Sequence, residues 1–503
     1  MKEKATQINL PLNRAEGDLE VLLEVKDGRL EDAWSSGTMF RGFEDMMKGR
    51  GALDGLVVTP RICGICSLTH LTAAVEALDK LSGVRPPDNA YRLRNIALMV
   101  ETVQSDVRHS ILMFMVDMVN EMAYQHFNMF AEAKFRYSPM QGAMANEVIR
   151  ETKRLLKIIA IIGGQWPHTS FMVPGGVTSI PDQTKILQCT MIIKKFISWY
   201  EKNILGCSLA RWGEVANNDD LDNWLEESIE HRESEVGFML RFLRMAGLDL
   251  IGSGPNRYLC FGNFPLPDKT DVTGINGKLL AAGYAEGTAV DEFSDDLISE
   301  DVSHSWYEQQ DEPLHPFEGG TVPSAVSNEN GRYSWVKAPR YDGKVVETGP
   351  LAEMIVNRNP LFVDLVERQG SSVLSRQLAR LVRPALLLPN LMKWLEEVAQ
   401  DPEAPFYEKV GAIPDGQSAG LVQAARGALG HWIKVVDERI THYQVITPTA
   451  WNGSPRDRQK NRGAWEEALI GTEIKNEENP IEAGHIVRSF DPCLVCAVHT
   501  VKK

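Results

Sequence analysis

Residues 61–70 read RICGICSLTH, and residues 491–499 read DPCLVCAVH. Each stretch places two cysteines three positions apart and follows them with a histidine, and the two stretches lie at opposite ends of a 503-residue chain. Four thiolates form a soft ligand set that suits nickel, zinc or an iron-sulfur cluster. All four can bind one centre only if the folded chain brings its two ends together, and this requirement decides the fold.

The bulk composition is that of a globular protein, with 43% apolar and 24% charged residues. The chain has 53 Lys and Arg against 68 Asp and Glu, and its formal charge of −15 disfavours nucleic acid and anionic membrane surfaces as partners. No apolar stretch reaches the roughly 20 residues that span a bilayer, and residues 1–10 contain no secretion signal. The sequence therefore predicts a cytoplasmic protein that does not insert into a membrane itself and associates with one only through partners.

A closed structural zinc site is one alternative for the four paired cysteines. Zinc sites usually close over a short loop, whereas these pairs are separated by almost the whole chain. The spacing alone leaves both the zinc site and a catalytic soft-metal centre open. The other three cysteines, Cys189, Cys207 and Cys260, have no paired spacing and are predicted to be core thiols without a function.

Helical periodicity dominates the rest of the sequence. Residues 89–135 repeat apolar side chains at steps of three and four without Gly or Pro, which predicts one long core helix or two in line. Further helices are predicted at residues 145–162, 184–205, 224–246, 371–398 (kinked near Pro384 and Pro389) and 420–435.

Two regions depart from this helical pattern. Residues 21–34 alternate around a turn at residues 26–29, which predicts a hairpin. Residues 255–341 are rich in Gly, Pro and aromatic residues and are predicted to form an irregular, partly stranded insertion. We expect a mainly α fold with small β-sheets (α+β), one domain over residues 1–503, in which a large helical-bundle body and the N- and C-terminal segments converge on a buried metal site.

Both cysteine motifs resemble the signature motifs of nickel-iron hydrogenase large subunits, R-x-C-G-x-C-x-x-x-H near the start and D-P-C-x-x-C-x-x-H at the end. Other family-like segments follow in the expected order, at residues 14–17, 40–44, 163–168, 173–177, 333–341, 349–352, 425–427 and 443–452. The resemblance spans essentially the whole chain. It implies an oxidoreductase that cleaves H2 heterolytically into protons and electrons.

The resemblance also implies the ligands of the centre. All four thiolates, from Cys63, Cys66, Cys493 and Cys496, would bind nickel, and Cys66 and Cys496 would also bridge to an iron that carries cyanide and carbon monoxide. Dihydrogen is a very weak acid, so its cleavage needs a Lewis-acidic metal and a nearby base. Cys493 is the candidate for that base.

Further residues resemble catalytic and cofactor-contacting positions of the family. Glu16 resembles the glutamate that receives the proton next, and Arg426 the arginine above the open metal position. Pro448 and Thr449 resemble residues that pack around the diatomic ligands, where the Thr449 hydroxyl could donate to cyanide. Without the family context, Glu16 would be read as an exposed charge and Arg426 as an arginine on a helix surface.

A second metal site is implied as well. Glu44, His499 and the backbone carbonyl of Val445 match the family ligands of a magnesium ion, and hard oxygen ligands suit that ion. Asp106 and Asp491 resemble acidic residues beside the centre, for which a salt-bridging or helix-capping role is as reasonable as a catalytic one.

The resemblance implies partners, because the chain has no further cysteine sets for iron-sulfur clusters. It predicts an iron-sulfur small subunit that takes the electrons, maturation proteins that load the metals, and a heterodimer or higher oligomer. A non-catalytic relative, like the quinone-side subunit of respiratory complex I, is disfavoured because the four paired cysteines are retained.

Two roles within the family stay open, an uptake enzyme and a hydrogen-sensing subunit with slow turnover. Four residues follow His499, as in sensing members, and Ile65 with Met113 or Phe114 falls near positions that narrow the gas channel. Simple core packing explains these three side chains equally well. His70 and His168 are read either as orienting neighbouring groups or as core histidines.

Overall fold

The structure is a computed structural model that describes residues 5–15, 17, 19–267, 269, 277–324 and 331–493. Helices make up most of its regular structure. In chain order the α-helices are α1 (Phe43–Met47), α2 (Gly55–Val58), α3 (Ser67–Leu81), α4 (Asp88–Arg108), α5 (Glu121–Tyr124), α6 (Phe130–Tyr137), α7 (Ala143–Leu155), α8 (Lys157–Gly163), α9 (Gln183–Trp199), α10 (Leu209–Trp212), α11 (Asn218–Glu227), α12 (Ile229–Glu233), α13 (Glu235–Ala246), α14 (Pro350–Val356), α15 (Pro360–Gln369), α16 (Val373–Gln400), α17 (Pro448–Asn452), α18 (Ala464–Leu469) and α19 (Ile481–Ser489).

The strands form small antiparallel sheets of two or three strands. They are β1 (Thr6–Pro11), β2 (Leu19–Lys26), β3 (Arg29–Gly37), β4 (Met172–Val173), β5 (Gly176–Val177), β6 (Arg257–Pro265), β7 (Lys278–Glu286), β8 (Ala289–Asp291), β9 (Ile298–Asp301), β10 (Ala338–Tyr341), β11 (Gly416–Ala424), β12 (Gly427–Val436) and β13 (Arg439–Ile446). The described sheets have the orders β1-β2-β3, β4-β5, β6-β7-β8, β9-β10 and β11-β12-β13. The predicted α+β class, mainly helical with small sheets, is confirmed.

Helix α3 follows the first cysteine motif directly, since it begins at Ser67. It packs against β11 and β12, and α4 packs along α16. The contact between α3 and β11 depends on Gly420, because a Cβ atom at this position would lie 1.8 Å from the carbonyl oxygen of Ala73. Only glycine lets the strand and helix backbones approach so closely. The middle of α3 is thereby held against β11, the strand that leads to the turn with Arg426.

The predicted helix at residues 420–435 is wrong. This stretch forms the hairpin of β11 and β12, in which Ala424 pairs with Gly427 beside the turn and Gly416 pairs with Val435 at the far end. Residues 420–433 are all buried. Because both faces are covered, apolar residues do not alternate with polar ones along the strands, and periodicity does not distinguish the stretch from a buried helix. Gly427, with φ of +134°, marks the turn that the prediction overlooked.

Other helix predictions hold with changes at their ends. The core helix predicted at residues 89–135 begins as α4, but it continues as a π-helical segment, His109–Phe114, and a short 3-10 helix, Met115–Val119. The helix predicted at residues 224–246 is divided into α11, α12 and α13. Ser228 and Ser234 cause the division, because each hydroxyl caps a new helix by accepting a backbone N–H.

The prolines of the long helix and the strands of the small sheets can also be compared with the sequence-based expectations. Helix α16 extends through both Pro384 and Pro389. The predicted N-terminal hairpin is confirmed as β2 and β3, and β6 to β10 account for the stranded part of residues 255–341. Within the part of the chain that is described, no helix combines the length and the apolar character needed to cross a membrane.

Candidate metal centre

The two ends of the chain meet in the folded molecule. The Sγ atoms of Cys63 and Cys493 are 3.7 Å apart, although 430 positions separate them in the sequence. Cys66 belongs to the same buried group of thiols, and the exposed fractions are 1% for Cys63, 6% for Cys66 and 0% for Cys493. Cys496, the fourth predicted ligand, lies outside the described residues. Three of the four predicted thiols therefore converge.

These thiols form an incomplete ligand set by themselves. Among the residues with described positions, no group of three or more His, Cys, Asp or Glu side chains could hold a metal ion. Soft metals in proteins commonly have four such ligands. A tetrathiolate site here needs a contribution from the last residues of the chain.

Two charged side chains fix the backbone of the first cysteine motif. Arg41 donates from Nη1 to the carbonyl oxygen of Ile62, at 2.5 Å. Glu101, on α4, accepts hydrogen bonds from the backbone N–H groups of Leu68 (2.9 Å) and Thr69 (3.0 Å). These N–H groups belong to the first turn of α3, which has no side-chain cap of its own. Burial raises the pKa of Glu101 to about 8.

The second cysteine motif is held by α17. The backbone N–H of Cys493 donates to Oγ1 of Thr449 at 2.9 Å, and both residues are buried. Helix α17 is capped by the Thr447 side chain, which accepts from the N–H of Ala450. Since the Thr449 oxygen acts as an acceptor toward Cys493, its own hydroxyl proton remains to be donated elsewhere.

Arg426 lies in the turn of the β11–β12 hairpin and points its charge toward the thiols. Its Nε donates to Oδ1 of Asp491 at 2.9 Å, whereas Nη1 is buried without a hydrogen-bond partner among the described residues. Burial lowers the pKa of Arg426, but Asp491 and then Cys493, Cys66 and Cys63 outweigh this effect and raise the pKa well above its ordinary value. The guanidinium is thus a permanent cation beside the thiol group.

A small cavity connects these groups. Its volume is about 10 Å³, close to the smallest space that holds a water molecule. The residues that line it are Cys66, His70, Ala424, Arg426, Leu429, Pro448, Thr449 and Cys493. Five of them, Cys66, Arg426, Pro448, Thr449 and Cys493, are predicted site residues, and they come from both ends of the chain.

A buried ion pair contacts the turn that carries Arg426. Arg383, on α16, donates to both carboxylate oxygens of Asp106 at 2.8 and 2.6 Å, to Oε2 of Glu353 at 3.3 Å, and to the carbonyl oxygen of Ala425 at 2.7 Å. Burial raises the pKa of Glu353 to about 7, although Arg383 acts in the opposite direction. Asp106 therefore has a salt-bridging role, one of the two that the sequence left open.

Asp491 also has several basic neighbours. Besides Arg426, its carboxylate lies 3.8 Å from Nε of Arg380 and 3.6 Å from Nε2 of His109. Burial is the largest effect on Asp491 and raises its pKa, but Arg426, His109 and Arg380 together lower the pKa below its ordinary value. Burial lowers the pKa of His109 to about 3, so this histidine is neutral.

The predicted magnesium ligands meet in part. The Glu44 carboxylate accepts a hydrogen bond from the backbone N–H of Val445 at 2.9 Å and another from the Thr321 hydroxyl. Nζ of Lys337 lies 3.8 Å from Oε2 of Glu44. His499 is outside the described residues. Glu44 contacts the N–H group of Val445, whereas the predicted ligand is the carbonyl group of that residue, and a lysine ammonium lies beside the carboxylate.

Glu16 also lies outside the described residues. Its neighbour Arg14 pairs with Asp117, which is paired on its other oxygen with Arg488 at 2.7 Å. Burial raises the pKa of Asp117, but Arg488, His485 and Arg14 together lower it below its ordinary value. Arg14 is therefore tied to the helical body by a buried carboxylate.

The two histidines left open by the sequence differ in their surroundings. His70 lines the cavity, and its Nδ1 lies 3.0 Å from Nε2 of His431. His168 is partly exposed, with Nδ1 2.9 Å from the carbonyl oxygen of Pro60. The sequence did not point to His431, to Glu101 or to Arg383. The sequence does contain one signal for Glu101 and Arg383, since each is a charged residue inside an apolar helical run.

The unpaired cysteines lie apart from this group of thiols. Cys189 and Cys260 are fully buried, and burial raises the pKa of Cys189 to about 12. Cys207 accepts a hydrogen bond from Nε1 of Trp224 at 3.4 Å. All three pack as core thiols, in agreement with their sequence spacing.

Known proteins match this chain over almost its full length. The periplasmic [NiFeSe] hydrogenase large subunit of Desulfomicrobium baculatum is 33% identical, covering 98% of this chain and 94% of the relative. The uptake hydrogenase large subunit of Rhodobacter capsulatus is 27% identical, with 98% and 94% coverage. A solved structure of the D. baculatum enzyme superposes with a TM-score of 0.84 at 30% identity, covering 99% of this chain and all of that one.

A family model described as nickel-dependent hydrogenase matches residues 41–148 and 242–499. These ranges include the two cysteine motifs, Arg426 and the α17 segment, all of which the fold gathers around one cavity. The chain therefore belongs to the nickel-dependent hydrogenase family, as a large subunit.

Proposed function

We propose that this hydrogenase large subunit splits H2 at a nickel-iron centre, which Cys63, Cys66, Cys493 and Cys496 would hold, Cys66 and Cys496 serving as ligands of the iron as well as of the nickel. The approach of the Cys63 and Cys493 sulfur atoms to 3.7 Å carries the proposal. Thiolates gathered from both ends of the chain provide the soft ligands that nickel and iron-sulfur chemistry prefer.

The charges around the thiols suit such a centre. Four buried thiolates would be very unfavourable without cations, because charge is costly to remove from water. Arg426 supplies one positive charge, and its own pKa is raised partly by the three described thiols. Bound metal ions supply the rest. This balance of charge favours thiolates that bind a nickel-iron centre over a cluster of neutral thiols without metal.

The proposed reaction releases two protons and two electrons for each H2. When bound, the metal pair supplies a Lewis-acidic position that polarises the molecule. Cys493 takes the first proton, and Glu16 receives it next. A carboxylate suits this role when its surroundings raise its pKa toward neutral pH.

Arg426 is the proposed electrostatic partner of the reacting molecule. Its bond to Asp491 fixes the plane of the guanidinium, and Nη1 has no partner among the described residues. A cation that is oriented before the reaction stabilises developing negative charge without further rearrangement. Asp491 is therefore a positioning residue in this scheme.

The cyanide and carbon monoxide ligands of the iron also belong to the proposal. Pro448 and Thr449 line the cavity together with Cys66 and Cys493. The Thr449 hydroxyl accepts from Cys493 N–H and keeps its proton for a second hydrogen bond. Cyanide is a suitable acceptor for that proton, whereas the Pro448 ring offers only apolar contact.

A magnesium ion held by Glu44, the carbonyl of Val445 and His499 is a further part of the proposal. The hydrogen bond from the Val445 N–H to Glu44 brings these two residues together, and carboxylate and carbonyl oxygens are the ligands that magnesium prefers. Lys337 lies beside Glu44 and would share the carboxylate with the ion.

Electrons leave through the iron-sulfur small subunit that hydrogenase large subunits have as partner. We place its contact at the Cys63–Cys66 loop, because Arg61 and Gly64 are exposed although the neighbouring thiols are buried. Iron-sulfur clusters would lie only in that partner, and the assembly would be a heterodimer or a higher oligomer.

Several broader predictions stay proposals. They are loading of the centre by maturation proteins, a single domain over residues 1–503, and a cytoplasmic location with membrane association only through partners. The name of the D. baculatum relative places that protein in the periplasm. Fractionation of cells that make the tagged complex would test the location.

A hydrogen-sensing role is the second candidate. Ile65 is partly buried against the group of Cys63, Cys66 and Cys493. By the family resemblance, a bulky side chain near this position would narrow the gas channel. Phe114, in contrast, is fully buried against His485, with ring centroids 5.2 Å apart, as a core side chain. Measurement of turnover separates the candidates, since a sensor is slow and an uptake enzyme is fast.

Elemental analysis with infrared spectroscopy of the purified complex tests the centre. We expect nickel and iron together with bands in the cyanide and carbonyl stretching region. Cys493→Ala is expected to lose nickel, whereas Cys189→Ala, which also truncates a fully buried cysteine, retains it. A chain that holds one zinc ion and no nickel contradicts the proposal.

A further inference from the structure

A second cavity shares no lining residue with the one beside the thiols. It lies between three stretches of the chain, namely residues 122–127, residues 246–248 at the end of α13, and residues 475–482 at the start of α19. Its volume is about 380 Å³, which is the size of a site for a small organic molecule. The chemistry proposed for the metal centre does not use it.

Aromatic rings form one wall of this cavity. Tyr124, His126 and Phe127 line it. The ring centroids of Tyr124 and Phe127 are 5.2 Å apart, and those of His126 and Phe127 are 4.7 Å apart. The Tyr124 hydroxyl lies 2.9 Å from Nε2 of His485, which fixes the position of its ring. Ring faces carry partial negative charge, so a wall of this kind attracts cations as well as apolar groups.

The aromatic wall is tied to the opposite wall by a pair of amides. Nδ2 of Asn120 donates to Oδ1 of Asn479 at 3.4 Å, and Nδ2 of Asn479 donates to Oδ1 of Asn120 at 3.2 Å. Oδ1 of Asn120 also accepts from the N–H of Ala123 and so caps α5. These bonds fix both walls in the free protein, so a ligand spends little binding free energy on forming the cavity.

Glu482 supplies a buried acceptor in this cavity. It is only 9% exposed, and its Oε2 atom has no hydrogen-bond partner among the described residues. Glu482 lies in the first turn of α19, where the helix dipole favours a carboxylate. This position explains the negative charge but leaves Oε2 unused. Burial raises the pKa of Glu482, and Lys475 together with two backbone N–H groups offsets this effect only in part.

The surroundings carry a further excess of negative charge. Residues 473–478 contain three exposed glutamates, at positions 473, 477 and 478, and one exposed lysine, Lys475. Such a charge distribution attracts cations and repels anions. A bare metal ion is a poor occupant, because the residues with described positions include no group of three or more His, Cys, Asp or Glu side chains that could hold one.

We propose that this cavity is a binding site for a small organic amine in its ammonium form. An N–H group of the ammonium donates to Oε2 of Glu482, and the hydrocarbon part of the amine packs against Tyr124 and Phe127. A charge-assisted hydrogen bond of this kind is among the strong ones, and it gives the unused oxygen the donor that it lacks. The proposal does not depend on the nickel-iron centre.

Calorimetric titration of the purified complex with 2-phenylethylamine and with 2-phenylethanol tests the proposal. The two probes have nearly the same size, and at neutral pH only the amine carries a charge. We expect the amine to bind about 10- to 100-fold more tightly than the alcohol. Glu482→Gln keeps the size of the side chain but removes its charge, so the amine loses this advantage while the alcohol binds as before. Glu478→Gln, which changes an exposed glutamate of the same segment, is the control that keeps the advantage.

Amide hydrogen exchange locates the site, and we expect the amine to protect residues 122–127 and 475–482. Equal affinity for the two probes in the wild-type complex, no measurable binding of the amine, or protection confined to other segments overturns the proposal. A Glu482→Gln complex that still prefers the amine overturns it as well. If Glu482→Gln does not fold, Phe127→Leu takes its place, with an expected loss of amine affinity of about 2- to 5-fold. Unchanged amine affinity in that variant contradicts the aromatic part of the site.

Discussion

Thr449→Val changes one buried atom at the junction of the two cysteine motifs. Valine has nearly the shape of threonine, but it has no oxygen to accept the 2.9 Å hydrogen bond from the Cys493 N–H. Thr449 is 2% exposed and Cys493 is fully buried, so bulk solvent does not reach the position of the lost acceptor. A buried donor without an acceptor costs about 1–3 kcal/mol.

This free-energy cost acts on Cys493, whose N–H loses its acceptor. It favours states in which the segment around Cys493 has separated from α17, and about 1–3 kcal/mol makes such opening about 5- to 150-fold more frequent. Amide hydrogen exchange of the peptide that contains Cys493 measures this opening directly. In the metal-loaded complex we also expect the cyanide bands to shift, because the Thr449 hydroxyl proton is lost.

Thr449→Ser provides the matched control, since serine keeps the oxygen and the hydroxyl proton while it loses the methyl group. We expect near-normal exchange at Cys493 and near-normal cyanide bands in this variant. Wild-type exchange at Cys493 in Thr449→Val would refute the argument, because α17 would then contribute nothing to the position of the second motif.

Three other perturbations test different parts of the molecule. Arg383→Met is expected to destabilise the protein by about 3–5 kcal/mol, because Asp106 stays buried without its partner; an unchanged melting temperature would contradict the role of this pair. Burial lowers the pKa of His109 to about 3 and of His485 to about 4. As the pH falls, both histidines are therefore protonated in the unfolded chain before they are protonated in the folded protein. Stability present above pH 6.5 should be lost as pH falls toward 4, by about 1.4 kcal/mol per pH unit for each histidine, and a flat unfolding profile would show that they are not buried as neutral rings. Glu16→Gln is expected to leave the metals bound and to suppress hydrogen-deuterium exchange between H2 and solvent; full exchange would exclude the proposed proton route.

The sequence was most informative where chemistry needs particular residues. Paired cysteines predicted that the two ends meet, and the contact between Cys63 and Cys493 is the corresponding feature of the fold. The family resemblance also placed Arg426 and Thr449 beside those thiols, where the structure has them. Both predictions depended on motifs, in which residue type and spacing are fixed together.

Local patterns were less informative where burial is complete. The β11–β12 hairpin was read as a helix because its two faces are both covered and its apolar residues do not alternate. Glu101 and His431 were missed for a different reason. Each acts through a partner far away in the chain, Glu101 on the start of α3 and His431 on His70, and no pattern within a short window contains such a contact.

The close approach of β11 to α3 at Gly420 has a mechanical consequence. Cys66 lies at the start of α3, and Arg426 lies in the turn of the β11–β12 hairpin. The thiol and the guanidinium that line the cavity therefore belong to two different elements, which could in principle slide past each other. The absent side chain lets the two backbones interlock at Ala73, and any larger residue would act as a wedge. The spacing between the reacting thiols and the guanidinium therefore depends on the absence of a side chain at Gly420.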